Sequence, residues 1–149
     1  MGTHFERKLE ELHAQMIAIG NLCEQAITLS AEAVRGGGDQ VVRQVFETDR
    51  DIDAKEREIE GQCMKLLLLQ QPVAGDLRRI SAALRMVADM ERIGDQAADI
   101  ADLALHMDTA AVKVSADIAG IADATVHMVQ GSIEAFVDMD LKKSRYVIN

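Results

Sequence analysis

The chain has 149 residues, enough for one compact domain with a buried core, and only 3% of them are aromatic. Its formal net charge of −9 argues against nucleic acid as a partner, because phosphate binding needs a basic face. The abundance of Ala, Leu, Met, Glu and Arg, with a single Pro, predicts an all-α fold made of long helices.

Targeting signals are not readable in the sequence. No apolar run approaches the roughly 20 residues that a membrane span needs, and the N-terminus lacks the apolar stretch of a signal peptide. We therefore expect a cytoplasmic protein without a transmembrane segment. Cys23 and Cys63 fall on apolar helix faces and are expected to be free thiols, since two antiparallel helices that turn at Gly36–Gly38 would place them roughly 18 Å apart.

The first predicted helix runs from Phe5 to the glycines at 36–38, which are a strong stop signal. Apolar or small residues recur along it at three- and four-residue spacing: Phe5, Leu9, Leu12, Met16, Ile19, Cys23, Ala26 and Ser30. The second helix follows Asp39 and continues to about Gln70. Its apolar stripe contains Val42 or Val45, Ile52, Ile59, Cys63 and Leu66. Asp49 and Glu56 stand at steps of this stripe where an apolar residue is expected.

Pro72 ends the second helix, because proline removes a backbone donor and disfavours helical geometry in the residue before it. A third helix is predicted from about Val73 to Leu105. Its stripe reads Leu77, Ile80, Leu84, Val87, Glu91, Gly94, Ala98, Ala101 and Leu105. The short turns at Gly36–Asp39 and Gln70–Val73 predict that these three helices form an antiparallel bundle.

A fourth helix is predicted from about Ser115 to Met139, followed by the segment DLKKSRYVIN. Its apolar side chains are too numerous to remain in water: Ile118, Ile121, Val126, Met128, Val129, Ile133, Phe136 and Val137. The helix should therefore pack on the first three helices or on another copy of the chain. Of the two we expect the second, a homo-oligomer.

Two acidic pairs are predicted to meet across the second and third helices. Asp49 and Asp53 precede the turn at Pro72 by about 20 residues, and Glu91 and Asp95 follow it by about 20 residues. In antiparallel helices these positions lie at one level, and spacing i, i+4 places each pair on one face. Asp99 extends the row on the third helix. Glu47 and Asp51 form a similar pair on a neighbouring face of the second helix.

Carboxylates that lie so close together repel one another, and two interpretations remain open. The cluster binds a hard cation, since all-oxygen sites suit divalent and trivalent metals. Alternatively, it is a solvated face on which Arg50, Arg57 and Arg92 form salt bridges with the carboxylates.

The motifs of this region resemble the PhoU family of phosphate-uptake regulators. They are QQPVA at Gln70–Ala74, DLR at Asp76–Arg78 and ERIGD at Glu91–Asp95, preceded by DRDIDAKEREIEGQC. The resemblance covers residues 5–105 well, and residues 115–149 match the opening of a second repeat. Since the family fold is two tandem three-helix bundles, it implies a first bundle at 1–108. Residues 109–149 would then be the first helix and the start of the second helix of a truncated second repeat.

The resemblance also implies a function. The family's acidic motif, Glu or Asp followed four residues later by Asp, maps onto Asp49…Asp53, Glu47…Asp51 and Glu91…Asp95, and some members bind metal clusters there. Iron, zinc, manganese or magnesium are the ions expected. The family acts with a phosphate ABC transporter and its ATPase, and with a sensor histidine kinase, to repress phosphate-starvation genes. Arg78 and Arg79 form a basic island that is a candidate partner-binding surface.

Two other protein classes compete with this interpretation. A ferritin-like di-metal enzyme needs two Glu-x-x-His motifs on separate helices, and only Glu10 with His13 supplies one. A helical interaction or scaffold module without metal remains an alternative. No nucleophile with its base and no phosphate-binding glycine loop is readable, so we expect no enzymatic activity.

Overall fold

The computed structural model describes residues 4–69, 74–106 and 118–148, with side chains up to residue 138 except that of residue 69. It contains α1 (His4–Val34), α2 (Gly38–Leu69), α3 (Ala74–His106) and α4 (Ile118–Ile148). The described residues contain no strand, and the predicted all-α fold is confirmed.

The turn between α1 and α2 depends on glycine. Gly36 has φ of 96°, a left-handed conformation that side chains with a Cβ rarely adopt. The Gly36 N–H donates to the carbonyl of Ala33 at 3.2 Å, and the Gly37 N–H donates to the carbonyl of Glu32 at 2.9 Å. These bonds satisfy carbonyls at the end of α1 and let α2 run back along it. The second predicted turn, at Gln70–Val73, lies outside the described residues, although α2 ends and α3 begins beside it.

The core lies between α1, α2 and α3, each of which packs on the other two. Its largest fully buried side chains come from all three helices: Leu12, Met16, Ile19, Ile52, Ile59 and Ile80. Cys23 and Cys63 are buried free thiols, as predicted, and Cys23 Sγ donates to the carbonyl of Met90 at 3.5 Å. The three-helix bundle predicted from stripe and turn spacing is therefore present.

The buried face of α3 differs from the predicted stripe. Leu77 and Leu105, both predicted to be buried, are each 43% exposed, whereas Ala83, Met90 and Ala97 are buried. The cause is that α3 packs against α1 as well as α2, so its buried face turns toward α1.

Helix α4 packs on α1 in antiparallel orientation. Near one end of the contact the ring of His13 meets the ring of Phe136 edge to face, with centroids 5.8 Å apart. Further along, Ile133 lies against Gly20. Val129, Ile133 and Phe136 are thereby buried, while Ile121 and Met128 remain 59% and 71% exposed. Part of the apolar face of α4 is thus covered within the chain, and the expected homo-oligomer stays a prediction.

The end of α4 corrects the sequence prediction. The helix continues from Ile118 to Ile148, whereas a break near Met139 and the start of another helix were expected. Residues 139–148 contain neither Gly nor Pro, so nothing in the backbone chemistry stops the helix there. The predicted domain boundary at 108/109 falls within residues 107–117, which lie outside the described residues.

Candidate metal centre

A row of carboxylates on α2 faces a second row on α3. On α2 the row contains Asp49, Asp53 and Glu56, whose spacing of four and then three residues places them on one side of the helix. Glu91 and Asp95 begin the row on α3 and share a face for the same reason. Because the helices are antiparallel and joined near Pro72, the two rows meet at one level of the bundle, as the equal distances from the turn predicted.

Three aspartates form the centre of the cluster. One carboxylate oxygen each from Asp49, Asp53 and Asp95 lies within 4.8 Å of the other two. Protein carboxylates bind hard cations such as Mg²⁺ and Ca²⁺ at about 2.0–2.6 Å, so a single ion reaches oxygens that are up to about 5 Å apart. The spacing of the three oxygens is therefore compatible with one shared cation.

Proton binding by these groups is strengthened by their surroundings. Burial, followed by the charges of Asp95 and Asp53, raises the pKa of Asp49 to about 6. A hydrogen bond with Asp95, followed by burial, raises the pKa of Glu91 to about 7. Two carboxyl groups can share such a hydrogen bond only if one of them holds a proton. The cluster therefore favours bound positive charge, whether it is a proton or a metal ion.

In the part of the chain that the structure describes, the centre of the cluster is not neutralised by direct ion pairs with basic side chains. Among the described residues, no Lys, Arg or His forms an ion pair within 4.0 Å of Asp49, Asp53, Glu91 or Asp95. Arg92, a candidate partner from the sequence, pairs with Asp89 instead.

Arg57, a second candidate, acts only as a more distant charge. Burial and the charge of Asp95 raise the pKa of Asp53, and Arg57 opposes them in part. The interpretation as a salt-bridged surface is thus not supported at the centre of the cluster.

Two further features fit a cation. Asp49 Oδ1 and Asp53 Oδ1 are both buried and accept no hydrogen bond, and such orphaned acceptors are rare in folded proteins. Gly94 of α3 leaves the space that Asp49 occupies, since a Cβ at that position would lie 2.8 Å from Asp49 Oδ1. The donors are all carboxylate oxygens, a set that suits magnesium, manganese and iron better than the softer zinc.

The other acidic candidates differ in position. Asp99 is exposed but close enough to Asp49 to contribute to its raised pKa, so it borders the cluster. Glu47 and Asp51 are exposed and lie two residues from Asp49, about 200° around the helix. They therefore face away from the aspartates of α3, and metal binding by this pair stays a prediction.

One residue of the cluster was not assigned to it from the sequence. Glu56 is half-buried, and its pKa is raised by burial first and then by the charges of Glu60 and Asp53. Glu56 in turn contributes to the raised pKa of Glu91 across the seam. The available signal was its place in the apolar stripe of α2, where a carboxylate is as unexpected as it is at position 49.

The histidines and the basic island lie elsewhere. The group of potential metal ligands found among the described residues contains aspartates only, and His13 packs on Phe136 of α4. Arg78 is exposed near the start of α3, and Arg79 pairs with Asp76 at 3.6 Å. A partner-binding role for these two arginines stays a prediction.

Comparison with known proteins places the chain in a family. Residues 16–104, more than half of the chain, match the PhoU domain. The chain belongs to the PhoU family. The carboxylate cluster lies wholly within the matched region, so the residues described above belong to the PhoU domain itself.

Two PhoU relatives are similar over nearly the whole chain. A protein of Aquifex aeolicus, named phosphate-specific transport system accessory protein PhoU homolog, is 32% identical over 143 residues, which are 95% of this chain and 65% of the relative. A Clostridium acetobutylicum protein of the same name is 32% identical over 142 residues, 94% of this chain and 65% of the relative. This chain therefore spans about two thirds of the length of these PhoU proteins.

The crystal structure of PhoU from Pseudomonas aeruginosa has the same fold. It superposes with a TM-score of 0.82 at 30% sequence identity, covering 92% of this chain and 66% of that one. Among the described residues, none of the helices combines the length and the hydropathy that crossing a membrane requires.

Proposed function

We propose that this PhoU-family chain regulates phosphate uptake through contacts with other proteins, and that its α2–α3 carboxylate cluster binds a hard cation. The regulatory part is supported by relatives that are named phosphate-specific transport accessory proteins and match 94–95% of the chain. Its expected partners are the ATPase of a phosphate ABC transporter and a sensor histidine kinase, and its expected effect is repression of phosphate-starvation genes. Regulation of this kind requires no catalysis by the chain.

The observation that carries the metal part is the pair of buried, unpartnered oxygens, Asp49 Oδ1 and Asp53 Oδ1. Asp49 and Asp53 lie on one helix and their carboxylates face that of Asp95 on the next, so a cation would join α2 to α3 and offset the repulsion between them. Asp49, Asp53 and Asp95 would hold it, with Glu91 and Glu56 beside them. Bound there, the ion would stiffen the helix pair that carries Arg78 and Arg79 near its turn.

Titration with MnCl₂ tests the metal part. Wild type should bind Mn²⁺, and Asp51→Asn should bind it as wild type does. Asp53→Asn should bind it at least about 10-fold more weakly, since even residues that only orient a ligand contribute about 10- to 100-fold. Asp51→Asn is the matched control because it removes an equal charge from the same stretch of α2 but on the other side of the helix. Equal affinity in wild type and Asp53→Asn would contradict the site and leave the metal-free interaction module.

A test of the regulatory part requires living bacteria and purified partner proteins. In bacteria that lack their own PhoU, expression of the chain should repress a phosphate-starvation reporter when phosphate is plentiful. Arg78→Glu should weaken binding to the transporter ATPase or to the kinase, measured by biolayer interferometry. Arg43→Glu, an exposed arginine near the opposite end of the bundle, should not. A reporter that remains fully active would contradict a regulatory role for this chain.

A further inference from the structure

Gly94 is buried in the middle of α3, directly against the carboxylate of Asp49. A Cβ at position 94 would lie 2.8 Å from Asp49 Oδ1 and 3.0 Å from Ile52 Cδ1. A contact of 2.8 Å is within van der Waals overlap, so Asp49 Oδ1 could not stay where it is, and Ile52 Cδ1 would have to move by a few tenths of an ångström. The present position of the Asp49 carboxylate is therefore possible only because residue 94 is glycine.

We propose that Gly94 is a positioning residue of the cluster. Because it has no side chain, it lets the Asp49 carboxylate lie against the backbone of α3, within reach of Asp53 and Asp95. The consequence for cation binding rests on the proposed function. The position of the Asp49 carboxylate against α3 is a property of the two helices and can be measured without any metal. Gly94 would touch no ligand and would act through Asp49.

The two crowded atoms do not respond equally to an added methyl group. Ile52 Cδ1 is the end of a flexible side chain, and a rotation about its last bond can move it away. The carboxylate of Asp49 has a single CH₂ between it and the backbone, so Oδ1 can move away only by rotation about the Cα–Cβ bond or the Cβ–Cγ bond. Either rotation would reorient the carboxylate, which now supplies one of three oxygens that lie within 4.8 Å of one another.

Retaining glycine at this position has a cost in helix stability, because glycine is among the poorest helix formers. Two other glycines of the chain differ in how much space surrounds them. Gly20 is also crowded, since a Cβ there would lie 3.1 Å from Ile133 Cγ1 on the face toward α4, whereas nothing lies within 4 Å of a Cβ at Gly61. At Gly94, by contrast, the nearest atom is a carboxylate oxygen of the cluster.

These glycines supply the controls for a substitution series. We expect Gly94→Ala to bind Mn²⁺ about 10- to 100-fold more weakly than wild type, as is typical when a residue that orients a ligand is lost. Gly20→Ala measures the effect of adding a methyl group at another crowded helix contact, and Gly61→Ala measures the effect in open space. Both should bind Mn²⁺ as wild type does, with circular dichroism confirming that all variants are folded.

A double-mutant cycle shows whether Gly94 acts through Asp49. Asp49→Asn should weaken Mn²⁺ binding, and Gly94→Ala added to it should weaken binding little further, because the residue being positioned has already lost its charge. The combination Gly94→Ala with Ile52→Val removes Cδ1 and leaves the overlap with Asp49. It should stay folded and bind Mn²⁺ about 10- to 100-fold more weakly than Ile52→Val alone.

The outcomes separate this inference from the proposed function. If Gly94→Ala with Ile52→Val binds Mn²⁺ like Ile52→Val alone while Asp49→Asn does not, the positioning role is wrong and the metal site stands. If wild type binds no Mn²⁺, the metal function fails and a metal-free crystal structure of the same double variant decides the positioning role. Asp49 Oδ1 should then have moved from its place against α3, and an unmoved oxygen would overturn the inference.

Discussion

Gly20 of α1 and Ile133 of α4 set how closely these two helices approach each other. A Cβ added at Gly20 would lie 3.1 Å from Ile133 Cγ1, which is tighter than ordinary contact. Ile133 is itself buried by this contact, together with Val129 and Phe136. The lack of a side chain at Gly20 thus makes room for Ile133 of the fourth helix.

A large side chain at position 20 should therefore loosen α4 selectively. We expect Gly20→Leu to destabilise the docked helix by about 1–3 kcal/mol, the usual cost of overpacking. Hydrogen exchange should become faster in α4 while the core of α2 remains protected. Gly131→Leu, on α4 itself but with open space around it, is the control and should not make exchange faster. Equal exchange rates in wild type and Gly20→Leu would contradict this account of the docking.

Metal should stabilise the folded chain through Asp95. For wild type the gain is RT ln(1 + [L]/Kd), about 2.7 kcal/mol at a free metal concentration about 100 times Kd, and Asp95→Asn should lose most of it. Without metal the same substitution should be neutral or mildly stabilising, because it relieves repulsion between like charges. Thermal melts with and without added iron, manganese or zinc measure both effects. Identical melting shifts in the two proteins would count against the site.

The metal-free protein should lose stability as pH rises. The pKa of Asp49 is raised from 3.8 to about 6 and that of Glu91 from 4.5 to about 7, so the folded state holds these protons more tightly than the unfolded state. Their stabilising effect is complete below the unfolded values and is lost as pH rises through about 6 to about 7.

Urea denaturation in EDTA between about pH 4 and about pH 8 measures this dependence. Glu91→Gln should flatten it, whereas Asp51→Asn, which removes a carboxylate outside the cluster, should leave it largely unchanged. A wild-type stability that rises steadily across this range would show that the cluster is not protonated as its surroundings predict.

The two thiols should be unreactive in the native protein. Burial raises the pKa of Cys23 to about 12 and that of Cys63 to about 11, with the charges of Glu24 and Glu60 adding to the respective effects. Since the thiolate is the reactive form, iodoacetamide at about pH 8 should modify neither residue until the chain is unfolded. Mass spectrometry with and without urea measures this. Rapid native modification of Cys23 would contradict its burial in the bundle.

Periodicity in the sequence was sufficient for the core of α2. Ile52, Ile59 and Cys63 recur at helical spacing, and all are buried. The equal distances of Asp53 and Glu91 from Pro72 predicted that they meet at one level, because a short turn leaves antiparallel helices little freedom to slide. Repeat distance and turn length are local properties of the chain, so they can be read without coordinates.

Periodicity and turn length do not show which neighbouring helix packs on each helix face. Periodicity shows that Met90 and Ala97 share a face, but only the packed structure turns that face toward α1 and leaves Leu77 partly exposed. The sequence likewise contained Gly94 and Gly20 without showing that one lies against Asp49 and the other against Ile133. A residue's own spacing fixes its direction from the helix axis. How closely another helix can approach depends on side chains from both helices at once, and only the tertiary structure brings those together.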